Sequence, residues 1–536
     1  MTSSQTAHPA LAIPLPRRPG PNRLLQLVLI TFVALALLIS LLALTACGTE
    51  PTGDPYAVFQ PAMRPEFKDD LKTLGPVPTY QISVTLDTEA DLLYGSAIIN
   101  VPNNSLDLWD ALVFRLYPML GQYGGLMTIQ SVLVDNQVTS FIYQPGTQRT
   151  ALRVSLPAPL RPEKTANVQM RWKLEIPSWR DTSDVYALFG KSQEMLSLPL
   201  FYPALAVYQP NIRFGRGDWW TDIGIVRGDA AFADTSLFWV TATLPANYVP
   251  VASGTLITST FINQEQSRHV WVTGPAREFL LHTSPQFTSA YTEAYGTRVT
   301  SYWLPGDEAA GRAALEYAVA ALRIYSDEYG PYPFRDMSVA PAPLSYRGME
   351  YPQVSLIGVE TYSRYRNSLE SLVAHEVAHQ WWYQIVHNDP VNEPWLDEAL
   401  AEYSIKLYIE ALYGESSADN MQNSRWQNRL DGLSTPGLGL DEKVADFDSN
   451  VAYETIIYSK GALFYDAMRK RLGDRKFIEF LQDYFQKYRY KIVTTADWMA
   501  AIEALDDPTL VQLAQDWVQP RSVKAAEAEN QGASSQ

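Results

Sequence analysis

Residues 373–382 read Val-Ala-His-Glu-Val-Ala-His-Gln-Trp-Trp. On a helix, His375 and His379 lie one turn apart on the same face, about 6 Å from each other, so their imidazoles can bind one metal ion. Glu376 lies beside that face, where its carboxylate can take a proton from water on the metal. The flanking residues are apolar and predict a buried helix. Two ordinary polar histidines would lack partners there, whereas a metal supplies them.

A catalytic metal of this kind needs a third protein ligand and one open position. The next helical stretch supplies candidate carboxylates, and a turn near residues 388–390 would bring it back antiparallel to the histidines. Spacing alone leaves four of them open: Glu393, Asp397, Glu398 and Glu402. Apolar residues at positions 395, 396, 399 and 400 surround Glu398, which favours an inward orientation for that side chain.

The spacing of apolar residues changes along the chain. From residue 80 to about 285, apolar and polar residues alternate, as in 80–86 and 168–176, which predicts an antiparallel, sandwich-like β region. After about residue 305 the spacing becomes helical. The predicted helices lie near residues 314–325, 366–388, 395–413, 454–472, 474–488 and 495–517. The predicted fold class is therefore α+β and multidomain, with the β domain first.

The length and composition fit this organisation. A chain of 536 residues is too long for one compact core. The predicted segments are 1–47 (export or lipoprotein signal, or membrane anchor), 48–75 (linker), 76–290 (β-rich domain), 291–520 (helical domain) and 521–536 (disordered tail). The formal net charge of -16, with no basic stretch to offset it, argues against a nucleic-acid partner.

The N-terminus has the charge and hydropathy pattern of an export signal. Arginines at positions 17, 18 and 23 precede an apolar run from 24 to 46, which ends in Leu-Thr-Ala-Cys-Gly. That ending resembles a bacterial lipobox, whose cysteine is lipidated, and Cys47 is the only cysteine in the sequence. The run is also long enough to span a bilayer uncleaved. Either anchor predicts a protein attached to the cell membrane, with the residues after 47 on the extracytoplasmic side.

Several motifs together resemble one enzyme family. His-Glu-x-x-His, followed after eighteen residues by Glu398 within Trp-Leu-Asp-Glu-Ala, resembles the aminopeptidase N and leukotriene hydrolase family of gluzincin metallopeptidases. The segment 348–351, Gly-Met-Glu-Tyr, resembles that family's Gly-Ala-Met-Glu-Asn strand. The segment 458–461, Tyr-Ser-Lys-Gly, resembles its Tyr-x-Lys-Gly motif. The resemblance covers about residues 75–518 and makes 291–520 a thermolysin-like zinc peptidase domain.

The resemblance implies one Zn²⁺ per chain, held by His375, His379 and Glu398. It implies that Glu376 acts as the general base and that Tyr458 donates a hydrogen bond to the oxyanion. With these roles, the expected enzyme is a zinc metallopeptidase that hydrolyses peptide bonds through zinc-activated water.

The resemblance also implies how a peptide substrate binds. The strand that contains Gly348, Met349 and Glu350 would align the substrate backbone by β-augmentation, with glycine permitting close approach. Glu350 would pair with the free α-amino group of the substrate. The expected activity is therefore that of an aminopeptidase acting on extracytoplasmic peptides.

Some features depart from the family pattern. Tyr351 stands where the family has Asn, and no counterpart of the Gln and acidic residue with which many members supplement amine binding is recognised within residues 190–215, where 198–203 are apolar. The chain also stops soon after the peptidase domain, where relatives usually add a helical domain over the cleft. A zinc endopeptidase or processing protease with an open cleft is therefore an alternative. An inactive binding protein is a weaker one, since such proteins typically lose a ligand or the base.

The remaining candidates have less specific signals. Glu402, one helical turn beyond Glu398, is either a hydrogen-bond partner of a ligand histidine or a solvated helix charge. Tyr453 is expected to face the cleft. The other histidines of the folded region are expected to be structural or surface residues: His269, His282 and His387.

Overall fold

The structure is a computed structural model that describes residues 54–179, 188–192, 194–210, 215–222, 227–345, 347–434 and 437–519. The predicted signal segment with Cys47 and the predicted tail lie outside the described residues. Among the residues described, no helix is both long and apolar enough to cross a membrane. Residues 54–57 form a short turn of their own, and the described residues from Val58 onward form one compact unit.

Residues 79–284 form a strand-rich region, in which period-two alternation produces strands with one buried face. Its described strands are β1 (Thr79–Asp87), β2 (Leu92–Pro102), β3 (Trp109–Arg115), β4 (Leu126–Val134), β5 (Gln137–Val138), β6 (Phe141–Tyr143), β7 (Ala151–Leu160), β8 (Thr165–Glu175), β9 (Gly190–Ser192), β10 (Met195–Pro199), β11 (Ala204–Leu205), β12 (Tyr208–Gln209), β13 (Asp218–Trp219), β14 (Leu237–Pro245), β15 (Val249–Ala252), β16 (Thr255–Phe261), β17 (Gln266–Val272) and β18 (Leu280–Ser284).

Two sheets of this region share one apolar core. The larger has the strand order β16-β17-β14-β1-β2-β8-β4-β5, and the smaller has the order β11-β3-β7-β6. Inward side chains of both sheets, such as Ile82, Trp172 and Phe114, are fully buried in that core. Burial of each side chain of this size stabilises the fold by about 1.5–3 kcal/mol. The predicted sandwich-like β region is confirmed, but it is not wholly antiparallel, because β1 and β14 pair in parallel.

A third sheet of the strand-rich region, β15-β18-β10-β9, packs against a five-stranded sheet that begins the helical region. The five-stranded sheet has the order β19-β20-β21-β23-β22. The strands of the helical region are β19 (Thr288–Ala294), β20 (Thr297–Trp303), β21 (Asp336–Ala342), β22 (Gly348–Tyr351), β23 (Val354–Gly358), β24 (Val386–His387) and β25 (Lys491–Ile492). This packing places the short edge strand β22 at the border of the two regions.

Helices make up most of the described chain after residue 358. The α-helices are α1 (Lys68–Thr73), α2 (Glu308–Glu328), α3 (Leu369–Ala378), α4 (Trp395–Tyr413), α5 (Glu415–Gln422), α6 (Asn428–Asp431), α7 (Asn450–Tyr453), α8 (Gly461–Leu472), α9 (Asp474–Tyr488), α10 (Thr495–Glu503) and α11 (Pro508–Val518). Two π-helices are Asn423–Gln427 and Glu454–Lys460. Short 3₁₀ helices lie at Ala57–Ala62, Pro65–Phe67, Tyr117–Met119, Val359–Tyr362, Arg366–Ser368 and Val444–Asp446.

Three predicted helices were wrong in length or type. The helix predicted at 366–388 ends at Ala378, because the following residues turn back and the N–H of Tyr383 donates to the carbonyl oxygen of Val386 (2.8 Å). The segment 454–472 begins as a π-helix before α8. The segment 495–517 is two helices, since Asp506 has a φ of 53° and Pro508 starts a new helix.

Candidate metal centre

Three ligand atoms meet where α3, here called the histidine helix, faces α4, here called the glutamate helix. The Nε2 atoms of His375 and His379 are 3.1 Å apart, and Glu398 Oε2 lies 3.4 Å from the first and 3.2 Å from the second. Ligand atoms that lie 2.0–2.1 Å from a tetrahedral ion are about 3.3–3.4 Å from one another. This ligand triangle therefore has the size that a tetrahedral divalent metal requires.

The buried atoms of the triangle fit a cation. Glu398 Oε2 is buried and has no hydrogen-bond partner among the described residues. His379 Nδ1 lies 3.1 Å from the carbonyl oxygen of Trp382, which accepts only if Nδ1 carries the proton, so Nε2 then has its lone pair free for a metal. A carboxylate oxygen and an imidazole lone pair repel each other unless a proton or a cation lies between them. Two imidazoles and one carboxylate are a donor set that suits zinc.

The structure shows which of the four candidate carboxylates, Glu393, Asp397, Glu398 and Glu402, can be the third ligand. Glu393 Oε1 accepts the backbone N–H of Thr495 (2.7 Å), and Asp397 Oδ1 accepts a hydrogen bond from Asn388 Nδ2 (2.8 Å). Neither carboxylate belongs to the ligand group, and the second oxygen of Asp397 lies 3.9 Å from His379 Nδ1. Glu398 is the carboxylate that the glutamate helix brings into the triangle.

Glu402 lies against the ring of His375 and is only 3% exposed. Its Oε2 is 3.3 Å from His375 Nδ1, its Oε1 accepts from Trp426 Nε1 (2.6 Å), and Arg425 donates to both oxygens. A carboxylate held in this way orients an imidazole so that the opposite nitrogen faces the metal. The structure thus places Glu402 beside a ligand histidine rather than in solvent.

The two ligand helices are held in register by a buried tyrosine of α2. The hydroxyl of Tyr325 donates to the carbonyl oxygen of Ala374 (3.0 Å) and lies 3.2 Å from that of Ser404. One carbonyl belongs to the histidine helix and the other to the glutamate helix. The separation of the ligands is therefore fixed from behind by the packing of α2.

Glu376 points across the cavity towards β22. A Cβ atom on Gly348 would lie 2.0 Å from Glu376 Oε1, so a larger residue at position 348 would displace the carboxylate. Glu376 Oε2 has no hydrogen-bond partner among the described residues, and burial raises the pKa of this side chain to about 7. A carboxylate with such a pKa is suited to accept and return a proton near neutral pH.

β22 presents its outer edge and Glu350 to the same cavity. It is the last strand of its sheet, and Gln384 Nε2 donates to the backbone carbonyl of Glu350 (3.1 Å). Carboxylate oxygens of Glu350 and Glu376 and a ring nitrogen of His379 all lie within 4.8 Å of one another. Burial raises the pKa of Glu350 well above its ordinary value. A cationic group bound there would therefore remove an electrostatic penalty.

Tyr458 reaches the triangle from the π-helix Glu454–Lys460. Its hydroxyl donates to Glu398 Oε1 (2.5 Å), and its ring stacks on that of His375 with centroids 5.9 Å apart. A π-helix shifts the side chains that follow it relative to an α-helix, and such segments are frequent at functional sites. Here it brings a hydroxyl donor directly to the ligand set.

Burial and neighbouring charges set the protonation of the metal-free ligands. Burial opposes the charged form of His375, but the neighbouring carboxylates of Glu398 and Glu402 outweigh this and raise the pKa of the imidazole to about 9. Burial likewise opposes the charged form of Glu398, yet the two neighbouring imidazoles lower its pKa to about 2. Because metal ligands must be deprotonated, a bound divalent ion would release protons from the imidazoles.

Comparison with known proteins finds a family model for the part of the chain that carries this geometry. Residues 313–517 match the peptidase family M1 domain. The predicted resemblance to the aminopeptidase N-like gluzincins is thereby confirmed.

Curated relatives align with part of the chain. The alignment with aminopeptidase M1-B of Oryza sativa subsp. japonica is 29% identical over 242 residues. It covers 41% of this chain and 27% of that protein. The alignment with leukotriene A-4 hydrolase of Xenopus laevis is 29% identical over 185 residues. It covers 33% of this chain and 30% of that protein. The chain thus spans less than a third of the length of these relatives.

A solved M1 structure extends the likeness to the strand-rich region. The fold is similar to that of an M1 zinc metallopeptidase from Deinococcus radiodurans, with a TM-score of 0.62 and 20% identity. The match covers 83% of this chain and 93% of that chain. The predicted fold class, a β-rich domain followed by a mostly helical peptidase domain, is confirmed.

A cavity of about 330 Å³ joins the residues of the sequence motifs, and Asp229, which the sequence interpretation missed, also lines it. This aspartate comes from the strand-rich region. Its Oδ1 accepts the backbone N–H groups of Ala230 and Ala231 (2.6 and 3.1 Å), and Oδ2 lies 3.3 Å from Arg277 Nη2. Its charge contributes to the raised pKa of Glu350. No spacing rule links this turn to a strand more than a hundred residues later.

Of the other predicted residues, Met349 lines the cavity and the rest lie outside its lining. Met349 and Tyr351, on β22, are each 4% exposed and pack in an apolar cluster. Tyr453 is buried behind Tyr458, with ring centroids 5.8 Å apart. The three further histidines are buried and hydrogen-bonded to hydroxyl or carbonyl oxygens: His269, His282 and His387.

Proposed function

We propose that the chain is a zinc-dependent aminopeptidase, which removes residues from the free N-terminus of peptides. The observation that carries this proposal is the position of Glu350, whose carboxylate lies in one cavity with the ligand triangle and Glu376. A substrate ammonium group bonded to Glu350 brings the first peptide bond, and not an internal one, to the triangle.

Zinc bound by His375, His379 and Glu398 would polarise the substrate carbonyl and lower the pKa of a water molecule. Glu376 accepts the proton of the attacking water and passes it to the amine that leaves, as its pKa of about 7 allows. Tyr458 donates its hydroxyl hydrogen to the carbonyl oxygen as negative charge develops there.

The substrate backbone is aligned by β22. As the edge strand of its sheet, β22 can add a peptide by β-augmentation, and Gly348 lets the peptide and the carboxylate of Glu376 approach each other closely. Asp229 adds a second negative charge near Glu350. We infer that this pair of carboxylates, Glu350 and Asp229, binds the α-ammonium group of the substrate.

The direct test compares one peptide in two forms, with a free and with an acetylated N-terminus. The enzyme is residues 48–536 loaded with zinc. We expect release of the first residue from the free peptide alone, and Glu350→Gln should lower kcat/KM for it by about 10²-fold with zinc content unchanged. Glu89→Gln, on the exposed surface, is the matched control.

Equal cleavage of the acetylated peptide at internal bonds would replace this proposal with that of a zinc endopeptidase. Retention of zinc without cleavage of either peptide would favour a binding protein. If Glu350→Gln leaves the cleavage of the free peptide unchanged, Glu350 is not part of the amine site.

We further propose that the enzyme acts on the extracytoplasmic side of the cell membrane, attached through its N-terminus. The support is the sequence alone: the arginines before residue 24, the apolar run 24–46 and Cys47 at its end. Expression of the full chain in bacteria with radiolabelled palmitate should label the protein, and Cys47→Ser should abolish the label. A membrane fraction that holds unlabelled protein would indicate a transmembrane anchor, and protein confined to the soluble cytoplasmic fraction would contradict both.

A further inference from the structure

Arg227 joins the strand-rich region to the segment that precedes Tyr458. Its Nε donates to Asn450 Oδ1 (2.8 Å), and its Nη1 donates to the carbonyl oxygens of Val444 (3.0 Å) and Phe447 (2.8 Å). One guanidinium therefore binds three points of a seven-residue stretch that lies more than 200 positions away in the chain.

The bound stretch leads directly to the hydroxyl that faces the metal ligands. Ser449 Oγ caps α7 by accepting the N–H of Ala452 (3.1 Å), and α7 continues into the π-helix that carries Tyr458. The aromatic rings form a continuous row: Phe447, Tyr453, Tyr458 and His375 have successive centroid distances of 5.4, 5.8 and 5.9 Å. A shift of the stretch is thus transmitted to Tyr458 by packed rings.

The residues that follow Arg227 contact the other side of the same cavity. A Cβ on Gly228 would lie 2.9 Å from the hydroxyl of Tyr453, so the turn packs directly on the aromatic row. Asp229 comes next and lines the cavity near Glu350. Residues 227–229 therefore connect the proposed amine site with the segment that carries Tyr458.

We propose that Arg227 is a positioning residue, which sets the Tyr458 hydroxyl at the place where the substrate carbonyl oxygen becomes negative. The inference rests on the proposed function, because that role of Tyr458 belongs to peptide hydrolysis. A planar guanidinium can bind two carbonyl groups and an amide at fixed angles, whereas a lysine ammonium is a flexible point charge. Arg227 does not line the cavity, and its hydrogen bonds go to residues 444–450, so it acts on the transition state through Tyr458.

A double-mutant cycle tests this coupling. Arg227→Gln and Arg227→Lys are made in the parent enzyme and in Tyr458→Phe. In the parent, we expect kcat to fall by about 10-fold with KM changed by less than about 2-fold. In Tyr458→Phe, the same substitutions should lower kcat by less than about 2-fold, because the group that they misplace is already absent. Arg216→Gln, an exposed arginine paired with Asp110, is the control.

A second measurement does not depend on activity. Amide hydrogen exchange of the zinc-free protein should be faster at residues 444–460 in both Arg227 variants and unchanged in the glutamate helix. Zinc content should equal that of the parent. Arg227→Lys keeps the positive charge and serves if Arg227→Gln does not fold.

Equal loss of kcat in both backgrounds, an effect on KM alone, or unchanged exchange at 444–460 would overturn the inference. A parent enzyme that cleaves no free peptide would instead contradict the proposed function itself. If the parent is active and the Arg227 variants have the same kcat as the parent, only the positioning role is contradicted.

Discussion

The helical region and the strand-rich region contribute to the cavity in different ways. The helical region supplies the ligand triangle and Glu376 from two neighbouring helices, at spacings set by helix geometry. The strand-rich region supplies a single turn, with Arg227 and Asp229, and its position depends on contacts with distant parts of the chain. Chemistry that follows a local period can thus be recognised in a sequence, whereas chemistry that tertiary packing assembles cannot.

The largest effect is expected in the helical region. Glu376→Gln keeps the size of the side chain but removes the proton acceptor, so kcat should fall by about 10³-fold. Zinc content should stay at one per chain, because Glu376 is not part of the triangle. Peptide hydrolysis and metal analysis check both points. Activity within 10-fold of the parent would show that another group is the base.

Gly348→Ala probes the close approach of β22 to Glu376. The added methyl group would lie 2.0 Å from the carboxylate, so Glu376 must move. We expect kcat/KM to fall by about 10²-fold and the free energy of unfolding by about 1–3 kcal/mol. The control is Gly121→Ala, where a Cβ meets nothing within 4 Å. Equal behaviour of the two variants would mean that Glu376 is not fixed where the structure has it.

A smaller effect is expected from the strand-rich region. Asp229→Asn removes one negative charge and keeps an oxygen acceptor for the two backbone N–H groups, while its amide nitrogen replaces the oxygen that lies beside Arg277. KM for peptides with a free N-terminus should rise by about 10-fold, with kcat changed much less, because the substrate ammonium loses one of two carboxylates. Steady-state kinetics measure this. If only kcat changes, Asp229 supports the fold of the cavity rather than binding the amine.

His282, in the sheet of the strand-rich region that packs on the five-stranded sheet, should affect stability and not catalysis. It is fully buried between Ser197 and the carbonyl oxygen of Pro341, and burial lowers its pKa to about 4. The unfolded state, with a pKa near 6.5, binds more protons between pH 6.5 and 4. The free energy of unfolding should therefore decrease by about 3 kcal/mol as pH falls through this window.

Urea unfolding at several pH values, with His282→Gln beside the parent, measures that dependence. The variant is expected to be less stable at pH 7.5 but to lose about 3 kcal/mol less on acidification. Parallel curves for the two proteins would show that His282 is protonated in the folded state as readily as in the unfolded state.

Much of the fold could be predicted because local patterns agree with the tertiary structure. The helix predicted at 395–413 has the observed bounds, since Gly414 follows its last apolar turn with a φ of 83°. The end of the histidine helix was not predicted, because the apolar residues that continue past Ala378 belong to a buried turn. Periodicity does not distinguish a buried turn from a buried helix.

The residues of the site likewise include some that the sequence predicts and some that it does not. The sequence placed the ligands, Glu376, Glu350 and Tyr458 by motif, and the structure brings them to one cavity. Spacing could not separate Glu398 from Glu402, which both face the histidines from one side of their helix. It also gave no indication of the π-helix that carries Tyr458, since a π-helix is decided by packing and not by composition.

The central claim is that the metal lies in the triangle and leaves Glu350 free for the substrate. A crystal structure of the zinc-loaded protein, with anomalous data at the zinc edge, tests it most directly. We predict one peak, about 2.0–2.2 Å from His375 Nε2, His379 Nε2 and Glu398. A peak among Glu350, Glu376 and His379, which also lie close enough to share an ion, would contradict the account, because both the base and the amine site would then be ligands.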